Sequence, residues 1–100
     1  MSSAGEATGA KIQRSRSVVS RVVADEAMVV PIRRGVPDRD SIYTLNGTGA
    51  RLWGLLERGQ TAEQLSRYLE AEYGVTREQA LADTESFLAE LKEAGLIETV

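Results

Sequence analysis

The spacing of apolar residues changes period partway along this chain. From Ser17 it alternates: Val18, Val19, Val22 and Val23 surround Ser20 and Arg21, and after a turn at Ala24-Asp25-Glu26 the side chains of Met28, Val30 and Ile32 fall on one face at period two. This predicts two antiparallel strands. Pro31 has no amide to donate, so the second strand is expected to break near Ile32. Arg33–Asp40 is a charged connection rich in turn formers, and Ser41-Ile-Tyr-Thr-Leu45 reads as a third short strand.

From Thr48 the period becomes helical. Asn46-Gly47 alone would suggest a hairpin turn, but the next residues form a Leu/Trp stripe, so Gly47 and Gly49 mark a strand-to-helix corner at which Asn46 and Thr48 offer side-chain oxygens to the first helical amides. A first helix is expected over about 48–58, burying Leu52, Trp53, Leu55 and Leu56, with Gly59 as a left-handed cap. Thr61-Ala-Glu-Gln64 is a capping box that opens a second helix carrying Ala62, Leu65 and Leu69, with Tyr68 and Tyr73 at its flank and Gly74 at its end. Thr76-Arg-Glu-Gln79 repeats the box. The third helix then presents Ala80, Thr84, Phe87, Leu88, Leu91 and Ala94 before Gly95, and Leu96 and Ile97 fold back onto the core. A small three-stranded antiparallel sheet followed by a three-helix cluster is an α+β, winged helix-turn-helix-like domain.

Residues 1–16 are small and polar, with an isolated Ile12 and no periodicity, and are expected to be a disordered tail ahead of a single domain at 17–100. With 100 residues there is no room for a second core.

Composition narrows the chemistry. The chain holds no cysteine and no histidine, which removes thiol nucleophiles, disulfides, imidazole bases and most zinc-site chemistry. Carboxylate pairs such as Glu70/Glu72 and Glu90/Glu93 lie on helix faces expected to be wet, so nothing raises their pKa, and no base stands ready to activate a serine or threonine. No catalytic residue, metal site or cofactor is expected. Gly47-Thr-Gly49 lacks the further glycines and the lysine of a phosphate-binding loop. No apolar run reaches membrane-spanning length and no secretory signal is apparent, which points to a cytoplasmic protein without a membrane partner. Charge is uneven: the first fifty residues carry seven basic and five acidic side chains, the last fifty five and ten. The acidic helical half argues against a nucleic-acid partner.

Several motifs occur together and in order: Leu45-Asn-x-x-Gly49-Ala50 at the corner, Trp53-x-x-Leu56 in the first helix, then Asp83-x-x-x-Phe87-Leu88-x-x-Leu91-x-x-x-Gly95-Leu96-Ile97. The arrangement resembles the PqqD family of small precursor-peptide recognition elements over residues 17–98. That resemblance implies a non-catalytic winged-helix peptide chaperone. Such a protein holds the leader segment of a ribosomally synthesised precursor peptide and presents the rest to a modifying enzyme, in pyrroloquinoline quinone synthesis a radical S-adenosylmethionine (SAM) enzyme. The connection Arg33–Asp40 is longer and more charged than expected of the pyrroloquinoline quinone member, which favours a PqqD-like element of a related pathway.

The resemblance also implies a site. The leader would add as an antiparallel strand to the third strand, at Ile42, Tyr43, Thr44 and Leu45, with side chains entering a groove beside Leu81, Asp83, Thr84 and Phe87 of the third helix. Two rivals share the architecture, a winged-helix DNA-binding regulator and a plain protein-assembly subunit. The first would place the third helix in the major groove, yet that helix offers Glu78, Asp83, Glu85, Glu90 and Glu93 against only Arg77 and Lys92.

Overall fold

A computed structural model of the chain describes residues 10–100. Seven strands and three helices occur in the order β1 Lys11–Arg14, β2 Val18–Val23, β3 Glu26–Arg33, β4 Val36–Pro37, β5 Tyr43–Asn46, α1 Thr48–Leu55, β6 Gln60–Thr61, α2 Ala62–Tyr73, α3 Arg77–Glu93 and β7 Ile97–Thr99. The mixed α+β fold with its three consecutive helices agrees with the sequence. It is built on two sheets rather than one.

In the larger sheet β2 and β3 form an antiparallel hairpin, and β5 pairs the first half of β3 on its other side. The strand does not break at Ile32. It runs to Arg33 and turns through Arg34 (φ +55°) and Gly35 (φ +78°) into β4. Two consecutive residues of positive φ are the turn a two-residue hairpin needs, and glycine meets one of them without strain. Pro31 is accommodated because the Asp38 amide donates to its carbonyl at 2.8 Å, while the missing proline N–H falls on this same short β4 side. The charged connection beyond is ordered by Asp38, whose carboxylate accepts from Arg33 Nε (2.7 Å), Ser41 Oγ (2.9 Å) and the Asp40 amide (3.1 Å).

The buried face of β3 is Ala27 and Val29, both fully enclosed, with Leu45 of β5 beside them; the set containing Met28 faces outward. Apolar residues occupy both parities of this strand, so the packing of α1 and its Trp53, not the alternation, selects the inner one. Trp53, Leu52, Leu56, Leu65, Leu91 and Leu96 complete the core.

The second sheet, β6-β1-β7, corrects the expectation of a disordered tail. Lys11–Arg14 is its central strand, pairing Thr61 and Gln60 on one side and Ile97–Thr99 on the other. Ile12 packs against the core. Arg14 donates from Nε and Nη2 to the Trp53 carbonyl at 3.1 and 2.9 Å, and its guanidinium lies 4.8 Å from the centre of the Trp53 ring. Partial burial moves the Arg14 pKa down, and the charge of Glu57 offsets this in part. Residues 1–9 of the expected tail lie outside the described residues.

The helices begin and end much as their signals indicate. At Thr61 the capping box is complete: Gln64 N donates to Thr61 Oγ1 (3.0 Å) and Thr61 N to Gln64 Oε1 (2.9 Å). At Thr76 only half forms, because Gln79 turns its amide to Asp83 Oδ1 at 2.8 Å instead. The corner before α1 differs from expectation: Gly47 is the cap residue, at φ +53°, and no side chain caps the helix. That helix closes by tightening into a 3-10 turn over Leu56–Arg58.

Candidate functional site

The open edge of β5 is the feature on which a site can be built. The pairing of β5 with β3 runs Tyr43↔Val29, Thr44↔Met28, Leu45↔Ala27 and Asn46↔Glu26, and just beyond it the Gly47 amide donates to Asp25 O at 2.8 Å. Hydrogen-bonded and non-bonded positions alternate along an antiparallel pair. Counting back from Gly47, the amides of Leu45 and Tyr43 therefore point to β3, whereas those of Thr44 and Asn46 point away from it, to the open side. Among the described residues this edge is unpaired, and such an edge is a template for a further strand.

Beside that edge runs a shallow groove of about 350 Å³, bounded by Ile42–Asn46 on one side and by Gly49, Phe87 and Glu90 on the other. Phe87 and Gly49 separate it from a second hollow of about 450 Å³ between α1, α2 and α3, whose walls are Leu52, Leu69, Tyr73 and Val75 with Thr48 and Asp83 at its margin. Gly49 comes close to Phe87 and Leu45 at this divide. A methyl group there would already touch Phe87 Cε1 at 3.5 Å and Leu45 Cδ2 at 3.6 Å. The Tyr43 phenol is pushed up to about 12, first by burial and then by the hydrogen bond and negative charge of Glu90. Tyr43 of β5 thus faces Glu90 of α3 in the groove.

Of the eight residues expected to form the peptide site, the structure brings Ile42, Tyr43, Thr44, Leu45 and Phe87 to the groove, and Asp83 to the adjoining hollow. Thr44 is exposed, while Leu45 is buried with its side chain in the core. Thr84 is not brought there. It is fully buried, and its Oγ1 has no hydrogen-bond partner among the described residues. Leu81 is half-buried and lines neither hollow. Sequence reasoning missed Glu90, Gly49 and Asn46 as groove residues. The signal for Glu90 was the helical spacing Asp83, Phe87, Glu90, which puts all three on one stripe of α3.

Among the described residues no group of three or more potential metal-ligating side chains comes together, and no helix is long and apolar enough to cross a membrane.

Two solved structures share the fold. One, described as TbiB1 in complex with the TbiA(beta) leader peptide, is 31% identical, with a TM-score of 0.74 over 86% of this chain and 94% of that one. The other, a lasso peptide synthetase B1 complexed with the leader peptide, is 22% identical, with a TM-score of 0.71 over 87% of this chain and 96% of that one. No curated relative matches by sequence. Residues 33–97, which include the open strand, the corner at Gly49 and all three helices, match the family model of coenzyme PQQ synthesis protein D, and the chain belongs to this PqqD family.

Proposed function

We propose that this protein is a recognition element that binds the leader segment of a ribosomally synthesised precursor peptide and presents the peptide to a modifying enzyme. The observation that carries this reading is the outward pair of amides at Thr44 and Asn46, set along a groove that Phe87 and Gly49 line. A peptide laid antiparallel along β5 would accept main-chain hydrogen bonds from those amides and donate to the carbonyls of the same two residues, and its alternate side chains would enter the groove. The solved structure 31% identical to this chain holds a leader peptide, which supports the same ligand class here. The contact residues on this reading are Ile42, Tyr43, Thr44 and Leu45 on the strand, and Asp83, Phe87 and Glu90 on α3.

The protein's part is binding rather than chemistry. Its groove presents a phenol, a carboxylate and an aromatic ring, with no nucleophile beside a base. The modifying enzyme is a separate partner, and the pyrroloquinoline quinone branch of the family suggests a radical SAM enzyme for that role. Such precursors are made in the cytosol, where this protein would act. A DNA-binding role is disfavoured by the charge of α3, whose polar positions would repel phosphates.

Titrating isotopically labelled protein with candidate leader peptides tests the proposal. Amide signals of residues 41–46 and 83–90 are expected to move, and duplex DNA at low salt is expected to move none. Saturable DNA binding with a steep salt dependence, or peptide binding that leaves β5 untouched, would refute it.

A further inference from the structure

The groove beside β5 is one-sided in charge. The ionisable side chains that line it and the adjoining hollow are Tyr43, Tyr73, Asp83 and Glu90, and no lysine or arginine lines either. Lys92, two residues beyond Glu90, lines a different hollow with Ile12 and Ile97. Arg51 stands on α1 between Asp25 and Glu72, at 3.8 and 3.9 Å. Neither groove carboxylate has a cationic partner among the described residues: Asp83 accepts from the neutral amide of Gln79 at 2.8 Å, and Glu90 meets the phenol of Tyr43. A bound strand therefore lies against two uncompensated negative charges and the ring of Phe87.

We infer that the peptide segment this groove selects is basic and apolar: a lysine or arginine that meets Glu90, and an apolar side chain that packs on the Phe87 ring where it walls the groove. Side chains of a strand that face the same way recur at period two, so the two anchors stand an even number of residues apart. An aspartate or glutamate at the first position would face repulsion from Glu90 and, further along, from Asp83. The groove, at about 350 Å³, has room for a leucine or an aromatic ring beside Phe87. This inference rests on the strand-addition reading and adds the chemistry of what is added.

The test is a selection that requires no knowledge of the natural peptide. A random peptide library displayed on phage is panned against the wild-type protein and against Glu90→Lys, and synthetic peptides from the winning sequences are measured by fluorescence anisotropy. The wild type is expected to enrich peptides with a lysine or arginine and an apolar residue at even spacing. Glu90→Gln, which keeps an acceptor for the Tyr43 phenol, should weaken such a peptide about fivefold, the upper range for an exposed ion pair. Added salt should do the same. Glu90→Lys should enrich acidic peptides instead. Thermal unfolding of both variants checks that the exposed substitution leaves the fold intact. Peptides that bind in a Thr44-dependent manner without a basic preference would overturn this inference and leave strand addition standing. No enrichment, or binding indifferent to Thr44→Pro, would overturn both.

Discussion

Thr44→Pro separates a strand edge that recruits a peptide from one that is merely exposed. The Thr44 amide points away from β3, so proline there removes a donor without breaking the ladder that holds β5 in the sheet. The Thr44 side chain is exposed, and its loss uncovers little. Folding stability should therefore change by no more than about 1 kcal/mol, the ordinary range for a surface site free of special interactions. Binding should suffer more. One lost main-chain bond is worth about 0.5–1.5 kcal/mol, and the pyrrolidine ring also occupies the place of the incoming carbonyl. A total of about 1–3 kcal/mol corresponds to a roughly fivefold to 150-fold rise in Kd. The neighbouring substitution Leu45→Pro has the opposite signature. It removes the amide that faces Ala27 and a side chain only 8% exposed, at a cost of about 4–6 kcal/mol from the lost bond and the cavity together. In a domain of this size that is most of the stability. Circular dichroism and chemical denaturation report the fold, and anisotropy with a library-selected peptide reports binding. A Thr44→Pro protein that folds and binds as the wild type does would refute strand addition on β5. A Leu45→Pro protein as stable as Thr44→Pro would show that the amide parity assigned to this strand is reversed.

The same geometry sets other expectations. Removal of residues 1–9 is the reference truncation, and removal of 1–16 takes out β1, the packing of Ile12 and the bonds of Arg14 to the Trp53 carbonyl. Together these are worth about 3–5 kcal/mol, and differential scanning calorimetry should show Tm lower by at least about 12 °C; equal Tm values for the two truncations would mean β1 does not hold the second sheet. Tyr43, with a folded-state pKa raised to about 12 against an ordinary 10, keeps its proton longer in the folded state than in the unfolded one. Its contribution to stability is accordingly present below about pH 10 and is lost as pH rises from there to about 12. Ultraviolet titration should show a late tyrosine step, moved earlier by Glu90→Gln, and a step that Glu90→Gln leaves unmoved would remove the link between β5 and α3. Gly49→Ala places its methyl at ordinary contact distance from Phe87 and Leu45 and should fold normally, whereas Gly49→Leu should crowd the groove beside Phe87 and weaken peptide binding by roughly tenfold, on the order of 1.4 kcal/mol; undiminished binding by Gly49→Leu would show that no peptide side chain packs there.

The helices were legible because their signals are local. The Thr61/Gln64 box forms both of its bonds, Gly74 takes the left-handed conformation at the end of α2, and the leucines of each stripe are buried except Leu55, which is only partly so. The second sheet was illegible for the converse reason. Its strands are two to four residues long, too short to show a period, and β1 finds its partners more than forty residues away, at Gln60–Thr61 and Ile97–Thr99. Ile12 and Arg14 look like stray residues of a polar tail until α1 has placed Trp53 where both can pack. Propensity carries no record of such a contact. Pro31 misleads in the same way: it removes a donor, but which side of the strand loses that donor depends on register, and here the loss falls beside the short β4, where the bond from Asp38 remains.

The site was half legible, and the reason lies in what a groove requires of its residues. The residues that line this one are drawn from both classes, with Leu45 buried and Thr44 and Glu90 exposed, and a residue of intermediate burial fits either reading. Phe87 is such a residue, packed partly on the core and partly against the groove. Proximity in sequence to Asp83 and Phe87 draws Thr84 into the expected site. Rotation by one helical step per residue turns that hydroxyl into the core instead. Glu90 reads as part of a solvated face because charge is usually there. Its place on the stripe of Phe87 and Asp83, three and seven residues away, outweighs that prior once β5 is known to lie alongside. An exposed carboxylate beside a half-buried ring, facing a strand whose outward amides have no partner among the described residues, is a different object from a carboxylate on a wet helix. The difference resides entirely in what the strand edge leaves open, which the sequence of α3 alone does not contain.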